Sequence, residues 1–172
     1  STMKILVFFQ FTAAQLAEFT ELAATLGGHD VVHADNEEDA CRLAPGCEVI
    51  MGHFPSSVTA ATSDLRWIQS FSAGMDKFLY PAVIERDEVV VTGMAGRYAS
   101  QGGEHAWAFL LALARGLLPS IRNMADRSWG LSQPAIELTG GTLGIIGLGG
   151  FGLETVQRAA GDSMRVVALD PV

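Results

Sequence analysis

Cysteine is nearly absent from this 172-residue sequence: Cys41 and Cys47 stand alone, six positions apart. So sparse a set excludes a disulfide-built secreted scaffold and reads more economically as two reduced thiols in a cytoplasmic protein. Positive charge is also scarce, with 11 Lys and Arg against 19 Asp and Glu, a net charge of -8, and no basic run. Nucleic acid is therefore not an expected partner, because phosphate backbones are held by basic surfaces. No apolar stretch reaches the roughly 18 to 20 residues of a membrane span. Ala106 to Leu118 comes nearest and is bounded by Arg115 and Pro119. The start has no charged then apolar leader, and Ser1-Thr2 ahead of Met3 looks like an expression scar.

What is present is an apolar, weakly charged composition, 49% hydrophobic and 17% charged, that marks a globular chain. Lys4 to Phe9 has the density of a buried strand. Thr12 can cap a helix through Leu26, with Leu16, Phe19, Leu22, Ala23 and Leu26 on one face and Gly27-Gly28 as the stop. A strand over Asp30 to Ala34, a short helix opened by Asn36-Glu37-Glu38-Asp39 and a strand over Glu48 to Met51 follow. A short helix around Thr59 to Asp64, a strand at Arg66 to Ser70, a short acidic connection after Pro81 and a strand at Val89 to Val91 complete the alternation. Alternating strands and helices give an α/β domain with a mostly parallel sheet. From Ser100 the pattern becomes a long helix, Gln101 to Leu118, then a further helical turn from Pro119 to about Arg127, and a loop from Gly130 to Thr139 containing Pro134.

The decisive stretch is Thr142 to Asp170. An apolar strand, Thr142 to Gly147, runs into Gly147-Leu148-Gly149-Gly150-Phe151-Gly152, a GxGxxG in the place where a βαβ unit needs it. A helix from Leu153 to Ala160, closed by Gly161, leads to a strand from Met164 to Asp170, whose carboxylate lies 18 positions beyond Gly152. The glycines divide the work. Gly147 allows the tight turn, Gly149 lets the backbone approach a pyrophosphate, and Gly152 lets helix and strand pack closely. The helix amino end, with Gly150 and Phe151, offers free N–H groups to phosphates. Asp170 would accept from the adenosine ribose hydroxyls and repel a 2'-phosphate, favouring NAD over NADP.

In open α/β sheets ligands sit outside the carboxyl ends of strands, which singles out two loops, Gly52 to Ser56 and Phe71 to Asp76. In the second, Ser72-Ala73-Gly74 offers consecutive N–H groups near a helix start, a way to hold a small carboxylate. Other candidates weigh less. His29 and His33 share a strand face but lack a third ligand, so no metal site is expected. Arg97 reads as solvated or helix-anchoring, and His105, beside Glu104, as structural.

Four blocks together resemble the D-isomer-specific 2-hydroxyacid dehydrogenases, in the glyoxylate and hydroxypyruvate reductase-like branch. They are Leu65 to Asp76, Gly96 with Gly103-Glu104-His105-Ala106, Arg127-Ser128-Trp129-Gly130, and Thr142 to Pro171. The resemblance implies a flavodoxin-like parallel-sheet substrate domain (3–92), an interdomain and dimerisation helix region (93–130) and the first βαβ unit of a Rossmann NAD-binding domain (131–172). It implies hydride transfer between NADH and a small 2-keto acid, giving the D-2-hydroxy acid. Ser72, Ala73 and Gly74 would hold the substrate carboxylate; Gly147, Gly149, Gly150, Phe151, Gly152 and Asp170 would hold NAD. The family's catalytic arginine, acid and histidine are expected beyond Val172, so the chain reads as an N-terminal fragment, truncated, homodimeric and inactive alone. The sequence departs from the family at Thr92-Gly93, where Thr-Asn is frequent. It departs again at Gly102-Gly103, a pair that loosens the helix start by up to about 1 kcal/mol per glycine. A non-enzymatic nucleotide-binding or interaction module is the alternative. A flavin-binding electron carrier is disfavoured, since Phe9 to Thr12 lacks a hydroxyl-rich phosphate loop.

Overall fold

The computed structural model describes residues 2–130 and 135–171 and divides into two units, Ser1–Ala95 and Gly96–Val172. In the first, the apolar run after Met3 forms strand β1 (Lys4–Phe8). Helix α1 (Ala13–Gly27) starts at Thr12, whose hydroxyl accepts from the Gln15 N–H while the Gln15 side chain accepts from the Thr12 N–H at 3.0 Å. That reciprocal pair satisfies two donors the helix cannot use, and Gly28 at φ 68° ends it in the left-handed region. Strand β2 (Asp30–His33), helix α2 (Glu37–Leu43), strand β3 (Val49–Gly52), helix α3 (Ser56–Ala60), strand β4 (Trp67–Gln69), helix α4 (Pro81–Ile84) and strand β5 (Val90–Thr92) follow.

The five strands are parallel in the order β2-β1-β3-β4-β5, the flavodoxin-like arrangement. Leu6, Ile50 and Ile68 lie side by side across β1, β3 and β4, and all are fully buried in the larger core cluster with Ala40, Val58 and Val83. On the other face Ile5 and Val49 are buried, but the row continues into Trp67 and Val90, 39% and 59% exposed. The guanidinium of Arg86 ties the α3–β4 connection down by donating to the carbonyls of Thr62 and Ser63, both at 2.9 Å.

The second unit holds helix α5 (Ala99–Ala114), helix α6 (Leu117–Ala125), strand β6 (Thr142–Ile146), helix α7 (Gly150–Gly161) and strand β7 (Arg165–Leu169). Strands β6 and β7 pair in parallel, Thr142 with Arg165 through Ile146 with Leu169. Helix α5 packs on α7, and Gly102 and Gly103 explain how. A Cβ at Gly102 would lie 2.5 Å from the Phe151 ring, and one at Gly103 would lie 2.5 Å from the Glu154 Cβ. The pair that weakens α5 by propensity is therefore what lets α7 come close. Arg158 adds an ion pair to Glu154 at 2.7 Å and one to Glu104 at 3.6 Å.

Several expected elements shift. The long helix does not run from Gln101 to Leu118: it stops at Ala114, because Gly116 takes φ 62° and a new helix begins at Leu117. Pro119 falls in the first turn of α6, where its missing N–H costs nothing. The helix expected at Thr59 to Asp64 lies at Ser56–Ala60, opened by Pro55. The stretch after Pro81 is one helical turn, since proline suits the first helical position. Helix α7 starts at Gly150, not Leu153. Pro134 lies outside the described residues. Among the described residues no helix is long and apolar enough to cross a membrane.

Candidate functional site

The glycine-rich turn is built between the end of β6 and the start of α7. Gly147 takes φ 96°, which an L side chain rarely adopts, and its N–H donates to the Leu169 carbonyl at 2.8 Å. A Cβ on Gly152 would collide with the Gly147 carbonyl oxygen, so this glycine is what lets the helix sit on the turn. Gly149, the residue capping α7, faces open space with nothing within 4 Å of a built Cβ. The first-turn N–H groups of α7 have no partner inside the helix. A Cβ on Gly150 would lie 3.0 Å from the Ala99 Cβ, and the half-exposed Phe151 ring sits over Gly102. Asp170, one residue past β7, accepts from the Leu148 N–H of this turn. The structure thus gathers Gly147, Gly149, Gly150, Phe151, Gly152 and Asp170 at the carboxyl ends of two adjacent strands.

Residues 107–172 match the family model described as "D-isomer specific 2-hydroxyacid dehydrogenase, NAD binding domain". Over those residues the chain is similar to the NAD binding domain of the D-isomer specific 2-hydroxyacid dehydrogenases. A D-3-phosphoglycerate dehydrogenase of Archaeoglobus fulgidus is 33% identical over 141 residues, covering 79% of this chain and 27% of the relative. A family protein of Aeromonas salmonicida superposes with a TM-score of 0.83 at 26% identity, covering 98% of this chain and 53% of that one. A formate dehydrogenase of Staphylococcus aureus, solved in complex with NAD, gives 0.78 at 26% identity over 99% and 57%. The chain therefore spans about a quarter of that curated relative and a little over half of those solved chains.

The first unit carries the other candidate loop. Ser72, Ala73 and Gly74 follow β4, but not at a helix start: a turn over Asp76 to Phe78 intervenes and α4 begins only at Pro81. The amides there act without a helix dipole. The Ser72 N–H already donates to the Ser70 hydroxyl at 3.1 Å, and the Ser72 hydroxyl donates to the Gly74 carbonyl at 2.9 Å. The exposed amides of Ala73 and Gly74 have no acceptor among the described residues. The residues just after β5 pin the loop: the Met94 N–H donates to the Ser72 carbonyl at 2.9 Å, and a Cβ at Gly93 would lie 3.0 Å from that same oxygen. The Thr92-Gly93 departure thus has a steric reason.

Beside Ser72 opens a cavity of about 530 Å³, reached from the carboxyl ends of β1, β3 and β4. Its walls include His53 and Phe71, from the two loops that the sequence singles out, and Phe9, which sequence reasoning left unassigned. The signal was available in the aromatic residues clustered where three strands end. The Phe9 and Phe71 rings meet edge to face at 4.8 Å, and His53 lies tilted against Phe9 at 5.4 Å. Gly52 at φ 102° has no room for a Cβ beside the Phe8 carbonyl, which also accepts from the His53 N–H at 2.8 Å. That contact aims the β3 loop at the cavity.

The lesser candidates sit elsewhere. His29 Nδ1 accepts from the Met3 N–H at 3.1 Å, and His33 Nε2 lies 3.0 Å from the Phe9 carbonyl. Among the described residues no group of three metal-ligating side chains occurs. His105 packs edge to face on Phe109 at 4.4 Å, and Arg97 is exposed.

Proposed function

We propose that this chain carries the acid-holding loop and the dinucleotide turn of an NAD-dependent oxidoreductase that interconverts 2-keto acids and D-2-hydroxy acids. The observation that carries the reading is the pairing of a crowded Gly152 with an open Gly149 beside Asp170. Crowding at Gly152 fixes the turn, and the opening at Gly149 leaves room for a pyrophosphate against bare backbone. NAD, when bound, supplies the hydride. The protein's own groups do the positioning. The amides of α7's first turn face the phosphates, Asp170 faces the ribose with a charge that disfavours a 2'-phosphate, and the Ala73 and Gly74 amides donate to a carboxylate.

Titration of the chain with NADH and NADPH tests this. Saturable NADH binding, weaker NADPH binding and loss of NADH binding in Gly149→Ala are expected. Equal affinity for both nucleotides would remove Asp170 from its role, and an indifferent Gly149→Ala would remove the turn. The resemblance puts the arginine, acid and histidine of the chemical step past Val172. The 172-residue chain is therefore expected not to oxidise NADH with glyoxylate or hydroxypyruvate above a blank; turnover would place the proton donor within it.

Two further readings rest on surface chemistry. Phe109, Leu113, Ile121 and Met124 of α5 and α6 are each more than half exposed, which supports association as a homodimer through this region. Sedimentation as a monomer at micromolar concentration would count against it. Cys41 and Cys47 are free thiols, which supports a reducing compartment such as the cytoplasm.

A further inference from the structure

The cavity beside Ser72 has a composition that the acid-holding role of the loop does not account for. Phe8, Phe9, Phe54, Phe71, Phe78 and Tyr80 line it, six aromatic rings drawn from the ends of β1, β3 and β4 and from the loop that follows. They brace one another: Phe54 meets Phe78 at 5.7 Å, and Phe9 meets Phe71 at 4.8 Å. Phe54 is 3% exposed, so this wall is anchored in the core cluster that also holds Ile50 and Val58.

Charge is distributed just as unevenly. Among the described residues no lysine or arginine lines the cavity; the one carboxylate there is Glu37, which accepts from the Ser57 hydroxyl. Lys77, on the same loop as Ser72, is exposed and absent from the lining. The amino end of α2 offers no compensation, since Asn36 caps it and Glu37, Glu38 and Asp39 occupy its first turn. A phosphate placed here would lose water, meet aromatic faces and lie near a like charge.

We propose that this cavity receives the substrate's third-carbon substituent and that the substituent is an uncharged branched alkyl or aryl group, not a phosphate. The inference rests on the reading of Ala73 and Gly74 as carboxylate donors, because that places the acid end of a substrate at the cavity's Ser72 rim. A volume of about 530 Å³ holds such a side chain, within the roughly 300–1,000 Å³ of small-ligand sites. The aromatic wall favours it by removing apolar surface from water. The neighbourhood of D-3-phosphoglycerate dehydrogenases in sequence therefore does not extend to this pocket's chemistry.

Three acids added to the ¹⁵N-labelled 172-residue chain at pH 8, followed through the amides of Ala73 and Gly74, decide the matter. They are pyruvate, 4-methyl-2-oxopentanoate and 3-phosphonooxy-2-oxopropanoate. The branched acid is expected to saturate at a concentration about ten-fold below pyruvate, and the phosphorylated acid no lower than pyruvate. Phe71→Ala, and Phe9→Ala on a neighbouring wall, should bring the branched acid's dissociation constant up toward that of pyruvate. Should either variant fail to fold, the order of the three acids on the unaltered chain still decides. Phosphorylated acid binding as tightly as the branched one, or branched acid binding no tighter than pyruvate, would overturn the inference while leaving the carboxylate loop in place. No response at Ala73 and Gly74 to any acid would overturn the loop reading and this inference with it.

Discussion

The two units bury their apolar residues to very different degrees. In Ser1–Ala95, five parallel strands present an aligned row, Leu6, Ile50 and Ile68, that is wholly excluded from water. In Gly96–Val172, the buried hydrophobic residues among those described are only Ala114, Ile145 and Ala159, while Ile146 and Leu169 are 91% and 68% exposed. The sequences of the strands are equally apolar. What differs is the number of neighbours each has, because a parallel strand is buried only where helices and further strands cover both faces. Apolar sequence makes a strand able to be core, and coverage decides whether it is.

The largest effect expected from this contrast is on stability. Ile50→Ala should cost about 2–5 kcal/mol in urea unfolding of the first unit. Ile145→Ala should cost distinctly less in the second, since Ile145 belongs to neither buried core cluster. Equal costs would mean that the second unit is as well packed as the first.

A second contrast lies within the turn. Gly152→Ala forces a Cβ onto the Gly147 carbonyl and should destabilise the second unit by about 1–3 kcal/mol as well as weaken NADH binding. Gly149→Ala meets open space and should change stability by under about 1 kcal/mol, the cost of losing a favourable capping residue, while still abolishing nucleotide binding. Thermal melts and NADH titration of the two variants separate a packing glycine from a ligand-facing one.

The glycine pair of α5 sharpens the point. Gly103→Ala gains about 1 kcal/mol of helix propensity, but its Cβ must sit 2.5 Å from the Glu154 Cβ and 3.1 Å from that residue's backbone carbon. The expected outcome is a net loss of about 1 kcal/mol in unfolding measurements, since overpacking costs of this kind run to about 1–3 kcal/mol. Gly102→Ala brings its Cβ nearest to the Phe151 ring, half-exposed and able to swing, and should cost less than Gly103→Ala. A stabilising Gly103→Ala would show that α5 and α7 pack less closely than described.

The smallest effect is on pH dependence in the first unit. Burial pushes the Cys47 thiol up from its ordinary value, with the Lys4 ammonium partly opposing. The folded state therefore disfavours the thiolate. Stability from this group is fully present below the free thiol's value of about 8.5 and is lost as pH rises through the raised folded value. Cys47→Ala should flatten that alkaline decline, and alkylation should modify the half-buried Cys41 before Cys47. Simultaneous modification would show that Cys47 is not shielded.

Much of this was legible in the residues. Thr12 with Gln15, Asn36 with Asp39, and Gly28 mark helix ends by chemistry that acts within one turn, so sequence spacing reveals them. Gly147, Gly149, Gly152 and Asp170 could be picked out in the same way, since a βαβ turn is local. The break at Gly116 was not, because glycine within an apolar helical pattern can be tolerated, and only its left-handed backbone shows that the chain turns there. Nor was the reason for Gly102 and Gly103, which depends on a partner about fifty residues away.

Taken alone, the sequence determined the alternation of strands and helices and the place of the glycine-rich turn, because each rests on periodicity or on residues within a short span. Only the tertiary structure decided that Ser72's own donors are spent on its loop while those of Ala73 and Gly74 remain, and that six aromatic rings from strand ends and the loop after β4 line one cavity. The physical reason is that hydrogen-bond satisfaction and cavity lining are sums over residues distant in sequence, which parallel strand pairing brings to one edge of a sheet.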